Sequence, residues 1–256
     1  MVETGSHSPP TGERFVGARV VVTGGARGIG AAIARSFAAQ GASIAVIDRL
    51  ADECGAVADE LSGESVVCDL ADPDATTEAT KTSIDRLGGI DVLVNNAGVF
   101  RITPLLDISA DEWDWVFSIN TRAMLLTTQV AARSMIASGR GGKIVNLASM
   151  GGKVGAAGQA HYAASKAAVI SLTHVSAAEL GVHSINVNSI CPGYVLTEMG
   201  AATRTEEMVA TWSAMSPLGR LATPSDVANM AIFLASRDAD YLTGQAFNVT
   251  GGMIMH

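Results

Sequence analysis

Tyr162 and Lys166 stand four residues apart in Tyr162-Ala163-Ala164-Ser165-Lys166, and Ser149 lies thirteen residues before the tyrosine. On a helix, positions four apart share a face, so phenol and ammonium can point into one small volume. A free tyrosine titrates near ~10, too high to trade protons at neutral pH, whereas a cation within a few ångströms favours the phenolate. That makes Tyr162 a candidate proton donor or acceptor. Ser149 closes the apolar run Lys143-Ile144-Val145-Asn146-Leu147-Ala148, which reads as a buried strand with the hydroxyl at its carboxyl end. Ligands of open α/β sheets bind at that end. By itself the pair could equally be two solvated helix residues, so its meaning rests on the elements that would position it.

Apolar runs near 19–23, 43–47, 64–68, 90–94, 142–148, 184–190 and 245–249 read as strands. Helical patterns fall between them, near 28–40, 50–61, 72–87, 109–138, 158–181 and 224–235. Strands joined through helices need right-handed crossovers, hence a parallel sheet. The expected class is α/β: a doubly wound parallel sheet, or Rossmann fold, of about seven strands with helices on both faces. The chain of 256 residues fits one large domain, 15–256, behind a flexible polar tail, 1–14.

The first strand runs into Gly24-Gly25-Ala26-Arg27-Gly28-Ile29-Gly30 and then an Ala-rich helix. Glycines there let backbone approach a diphosphate, and the helix N-terminus turns free N–H groups and a partial positive charge towards it. The second strand ends at Asp48, 18 residues after Gly30. A carboxylate there can accept both ribose hydroxyls of an adenosine and repels a 2′-phosphate, which favours NAD over NADP. Arg27 and Arg49 argue the other way, and a helix cap is the plainer reading of Asp48. Asp69 and Leu70, after the third strand, would flank an adenine. Asn96, Ala97 and Gly98, after the fourth, lie where the middle of the cofactor should pass.

Composition removes other classes. Net charge is −8 and no run of basic residues appears, which disfavours nucleic acid as a partner. No uncharged apolar segment approaches the ~20 residues of a membrane span. Met1 to Gly12 lacks the hydrophobic stretch of a secretory signal. Cys54, Cys68 and Cys191 are odd in number and widely spaced, and the five histidines do not pair at ligand spacing. Neither a disulfide framework nor a metal site is expected, and a reduced, cytoplasmic setting is the default.

Taken together, Thr23-Gly24-x-x-x-Gly28-x-Gly30, Asp69, Asn95-Asn96-Ala97-Gly98, Asn120, Ser149, Tyr162-x-x-x-Lys166 and Pro192-Gly193-x-x-x-Thr197 resemble the short-chain dehydrogenase/reductase superfamily in its compact single-domain form. The likeness runs from residue 15 to the end. It implies a tetrad of Asn120, Ser149, Tyr162 and Lys166. Tyr162 would take the proton of a substrate hydroxyl as hydride passes to the nicotinamide, and Ser149 would hold the substrate oxygen. Lys166 would bind the nicotinamide ribose and lower the tyrosine pKa, while Asn120 would anchor a proton-relaying water. Pro192, Gly193, Val195 and Thr197 would close over the nicotinamide.

The resemblance also implies a homotetramer paired through the helices near 109–138 and 158–181. It further implies a mobile lid between Thr197 and Ala222 carrying Met199, Met208, Trp212 and Met215, for which a helical pair packed on the sheet is the rival reading. Gln159 and His161 would face either substrate or solvent at an exposed helix start. Thr250 stands where the family often has an aspartate. The function expected is NAD-dependent interconversion of a secondary alcohol and a ketone. A polyol or sugar-derived substrate is suggested by the likeness of Gly141 to Lys153 to sugar-alcohol members. An NADPH-dependent 3-oxoacyl-carrier-protein reductase and a non-catalytic dinucleotide sensor are the alternatives.

Overall fold

A computed structural model of the protein describes residues 14–198 and 205–256. The expected tail thus lies outside the described residues except for Arg14, which pairs with Asp238; Met199 lies outside them too. Seven parallel strands form one sheet: β1 (Arg19–Thr23), β2 (Ser43–Asp48), β3 (Glu64–Val67), β4 (Val92–Asn95), β5 (Gly142–Leu147), β6 (Ile185–Pro192) and β7 (Ala246–Val249). Their order is β3-β2-β1-β4-β5-β6-β7. The order reverses between β1 and β4, so a crevice opens beyond the carboxyl ends of those strands.

The helices are α1 (Gly28–Ala38), α2 (Ala51–Glu60), α3 (Pro73–Leu87), α4 (Ala110–Phe117), α5 (Ala123–Ser138), α6 (Ala160–Leu180), α7 (Glu206–Ala214) and α8 (Pro224–Ala235). The strands are apolar at consecutive positions because both faces are covered. Val20, Val22, Ile44, Val46, Val92 and Val94 enter one core with Ile33 and Phe37 of α1 and Val227 and Ile232 of α8. The residues between them, Val21, Ala45, Ile47 and Leu93, enter the other with Ile84 of α3 and Met135 of α5. A one-residue slip in register would exchange the two sets, so burial on both faces fixes the register of the site at the strand ends.

Local signals set several boundaries. Asp72 caps α3 by accepting from Asp74 N and Ala75 N, with Pro73 in the first turn, and Gly88 ends the helix in the left-handed region at φ 71°. Thr223 and Asp226 form a reciprocal capping box at the start of α8.

Two expectations change here. The helix expected over 109–138 is interrupted at Ser118–Arg122, where the spacing widens by one residue and Ala123 N donates to Ser118 O. Such widened turns rotate the following side chains and are frequent at functional sites. Between Thr197 and Ala222, where periodicity fails, α7 forms; it buries none of its residues, which explains why no apolar face marks it. Trp212 of α7 stacks on Tyr194, with ring centroids 4.5 Å apart.

Candidate active site

Every strand from β1 to β6 delivers one group to the same edge of the sheet. The glycine loop follows β1, Asp48 ends β2, Asp69 follows β3, Asn96–Gly98 follows β4, Ser149 follows β5 and Pro192 ends β6. Parallel strands present all their carboxyl ends on one side, which gathers residues distant in sequence into one cleft.

The glycine loop is held by backbone fit. Gly24 and Gly28 have φ of +63° and +58°, and a Cβ on Gly30 would lie 2.0 Å from Gly24 O. Asn96 staples the loop to β4: its Nδ2 donates to Thr23 O at 3.0 Å and Gly24 O at 2.9 Å. The Thr23 hydroxyl accepts from Asn96 N and Ala97 N, each at 3.1 Å. Asp48 leans into the loop, its Oδ2 accepting from Ala26 N at 3.1 Å and its Oδ1 from Leu50 N at 3.2 Å. Leu50, not Asp48, stands at the N-cap of α2, so the plain helix-cap reading gives way. Arg27 and Arg49 are exposed beside it. Asp69 is also exposed and closes a turn with Ala71 N, above the buried Leu70.

The facing wall carries Ser149 and Tyr162, both half-buried, and the buried Lys166. Ser149 is extended, and its Oγ accepts from Gly151 N at 3.0 Å. A Cβ on Gly151 would sit 3.4 Å from Ser149 Oγ and 3.5 Å from Tyr162 Cε1, so both groups flank one turn. The next residue must be glycine, since a Cβ on Gly152 would meet Lys166 C at 2.6 Å. Lys166 is buried, its Nζ donating to Leu147 O at 2.6 Å and lying 5.9 Å from the centre of the Tyr162 ring. Gly98 separates Lys166 from Asn120; a Cβ there would lie 3.3 Å from Nζ and 3.2 Å from Asn120 Oδ1.

Asn120 sits in the widened turn and is fully buried. Its Nδ2 donates to Val99 O and Ser165 Oγ, each at 3.0 Å, and its Oδ1 accepts from Val99 N at 2.7 Å. Ser165 in turn donates to Tyr162 O at 2.7 Å. With both amide protons engaged, this side chain clamps the loop after β4 to the turn bearing Tyr162. Beneath it, Asn95 and Asn146 face each other across β4 and β5 at 2.9 Å, and Asn146 reaches Thr173 of α6 at 3.0 Å. This buried ladder ties the strands to α6, which carries Tyr162 and Lys166.

The electrostatics differ from the simple Tyr–Lys picture. Burial pushes the Tyr162 phenol above its ordinary value, opposed by its hydrogen bond with Ser149. Burial also lowers Lys166, to about 8, because an ammonium loses more than an amine on leaving water. Desolvation thus outweighs the lowering expected from Lys166, whose Nζ stands 5.9 Å from the centre of the ring. Cys191, buried below both, is likewise pushed up by burial.

His161 is neither exposed nor facing substrate. It is fully buried, with Nε2 3.1 Å from Glu112 Oε1. Gln159, half-buried, precedes α6 without a capping bond. Residues that sequence reasoning passed over are Glu112, Phe100 and Glu198. Phe100 meets Tyr162 edge-on at 4.8 Å. Glu198 Oε2 lies 3.4 Å from where a Gly28 side chain would begin. None of the three belongs to a motif with fixed spacing. Gly193 donates to Val249 O at 3.0 Å, and a Cβ on it would meet Thr250 Cα at 3.2 Å, so Thr250 packs against the loop after β6. Val195 bridges to Ala222.

The glycine cradle, the positive φ angles and the carboxylate at the end of β2 fit a dinucleotide, and with the Ser149–Tyr162–Lys166 wall they define a nucleotide-dependent oxidoreductase. The model of the family described as enoyl-(acyl carrier protein) reductase matches residues 24–254. Sorbitol dehydrogenase of Cereibacter sphaeroides is 38% identical over 252 residues, covering 93% of this chain and 98% of that protein. A 3-oxoacyl-[acyl-carrier-protein] reductase of Chlamydia pneumoniae is 37% identical over 244 residues, 93% of this chain and 98% of that one. A short-chain dehydrogenase/reductase structure from Mycobacterium marinum superposes with a TM-score of 0.88 at 36% identity, covering 94% of this chain and 97% of that one. The chain belongs to the short-chain dehydrogenase/reductase superfamily. It is an oxidoreductase acting on CH–OH groups with a nicotinamide dinucleotide.

Proposed function

We propose that the protein is an NAD-dependent dehydrogenase that interconverts a secondary alcohol of polyol or sugar type with its ketone. Asp48 carries the cofactor assignment. Ala26 N holds its carboxylate against the glycine loop at 3.1 Å, where it would accept the adenosine ribose hydroxyls and repel a 2′-phosphate. Gly24, Arg27, Gly28, Ile29 and Gly30 would cradle the diphosphate, Asp69 and Leu70 the adenine, and Asn96, Ala97 and Gly98 the middle. Pro192, Gly193, Val195 and Thr197 would line the nicotinamide end, with Tyr162 and Lys166 at its ribose. When bound, the dinucleotide supplies the hydride acceptor.

Ser149 holds the substrate oxygen, and Tyr162 removes the hydroxyl proton during oxidation and returns it during reduction. Such general acid–base help is worth about 10²–10⁴-fold. Gln159, at the mouth before α6, would contact the far end of the substrate. The exposed apolar residues Leu125, Ile136 and Val175 on α5 and α6 suit pairing of these helices between subunits of a homotetramer.

Sorbitol oxidation followed by the absorbance of reduced nicotinamide tests the reading, with NAD and NADP titrated in parallel. Turnover with NAD and tighter NAD binding support it. A second reading, an NADPH-dependent 3-oxoacyl-carrier-protein reductase, draws on the exposed Arg27 and Arg49 flanking Asp48. Tighter NADPH binding, with reduction of a 3-oxoacyl thioester and no sorbitol oxidation, would put it first.

A further inference from the structure

Five residues after β4, Val99 to Thr103, cross in front of Tyr162 and are pinned at both ends. At one end Asn120 brackets Val99 through its N–H at 2.7 Å and carbonyl at 3.0 Å. At the other, Thr103 N donates to Gly158 O at 2.9 Å, and Thr103 Oγ1 donates to Glu112 Oε1 at 2.7 Å. The same carboxylate oxygen is met by Nε2 of His161 at 3.1 Å. Because an ionised carboxylate only accepts, Nε2 carries the proton in this pair. Glu112 stands on α4, Thr103 on the strip, and His161 in the first turn of α6, next to Tyr162. One oxygen therefore ties three segments together. Between the pins, Phe100 presses edge-on against the Tyr162 ring at 4.8 Å and 84°.

We infer that Glu112 and His161 are positioning residues, and that the Thr103–Glu112–His161 bridge holds the 99–103 strip as a splint that fixes the Tyr162 ring for proton transfer. The inference rests on the Tyr162 reading above. His161 is 0% exposed, so its imidazole has no freedom to swing away, and the side chain of Glu112 is 15% exposed, enough to be replaced without opening the core. The two hydrogen bonds hold the Glu112 carboxyl below its ordinary range, chiefly the one from Thr103, so it stays an acceptor at neutral pH. Neither residue touches the glycine loop. Loss of the bridge should therefore cost turnover and spare dinucleotide affinity, and a misplacement of about 1 Å at a reacting group can cost about 10²-fold.

Three variants test this in the full chain with sorbitol and NAD, or with a 3-oxoacyl thioester and NADPH if the wild type turns over only that pair. Glu112→Ala should lower kcat at least tenfold while the dinucleotide Kd stays within twofold. Glu112→Gln keeps a carbonyl oxygen for both donors and should recover to within threefold of wild type. Thr103→Val cuts one arm and should fall between them, and it carries the test if Glu112→Ala does not fold. Unchanged kcat in Glu112→Ala or Thr103→Val, whatever the melting temperature, overturns the inference. So does a Gln variant as slow as the Ala variant, which would mean that charge and not the bridge matters.

A readout independent of any substrate separates this from the proposed function. The chain has three tyrosines, so in a Tyr194→Phe, Tyr241→Phe background the ultraviolet phenolate signal belongs to Tyr162. Loosening the splint admits water to the ring. The raised Tyr162 midpoint should therefore move down towards ~10 in Glu112→Ala and stay in Glu112→Gln. A midpoint unmoved in Glu112→Ala contradicts the splint even if neither substrate pair is turned over by the wild type.

Discussion

The two walls of the cleft solve the same problem with opposite materials. On the cofactor side the fit is made by backbone: three glycines, two at positive φ, and side chains such as Thr23 and Asn96 that bond only to main chain. On the side of Tyr162 it is made by side chains: Asn120 on Ser165 and Glu112 on His161, with Lys166 held by the carbonyl of Leu147. Backbone fit tolerates no added atom but carries no charge. A buried polar network tolerates small changes in shape but shifts every titratable group within it. The lesson is that affinity and reactivity are housed in separable parts of the fold, joined at Lys166.

That junction offers the largest effect. Lys166→Ala should lower kcat by about 10²–10⁴-fold, the range of lost acid–base support, and also weaken dinucleotide binding about tenfold in a fluorescence titration. An unchanged dinucleotide Kd would show that Lys166 serves the catalytic wall alone. Gly30→Ala probes the other wall. Its Cβ would sit 2.0 Å from Gly24 O, so the loop must shift, at about 1–3 kcal/mol of overpacking. A lower melting temperature and a Kd raised at least tenfold are expected, and wild-type affinity would mean that the cradle is softer than its geometry.

The pH dependence follows from burial of Tyr162. Oxidation needs the phenolate, and burial raises the pKa of the phenol. Only a small fraction is active at neutral pH, so kcat/KM for the alcohol should climb by up to about tenfold per pH unit into the alkaline range. Reduction uses the protonated phenol and should be flat near neutrality and fall only at high pH. An alcohol profile already flat at neutral pH would require another base. The smallest effect belongs to Glu198, whose carboxylate lies over Gly28. Removing one partly solvated like charge from a diphosphate site is worth about 1 kcal/mol, so Glu198→Gln should tighten NAD about fivefold by calorimetry.

The same division decides what could be read from residues alone. The strands were legible because burial on both faces forces runs such as Val20-Val21-Val22, and the glycine loop because its constraint is local to Gly24–Gly30. The candidate residues lie along one edge because parallel strands end on one side. The widened turn at Ser118–Arg122 was not legible, since its value lies in Asn120 reaching Val99 and Ser165, contacts made only in the fold. Glu112 and His161 are 49 residues apart, and no spacing rule joins them. The net direction of the Tyr162 shift is hidden for the same reason: the neighbouring lysine is visible in sequence, while desolvation, the largest cause, is not. Helix α7 stood only within the rival reading, a helical pair, because it buries no face that would mark its period.

Turnover of Tyr162→Phe, measured beside its dinucleotide Kd, bears most directly on the separation of binding from chemistry. The variant removes only the hydroxyl and leaves the ring and Lys166 at the ribose, so kcat should fall by at least about 10²-fold while Kd stays within twofold. Wild-type turnover would remove Tyr162 as the proton-transfer group, and a Kd that rose in step with the loss of kcat would contradict the division between the two walls.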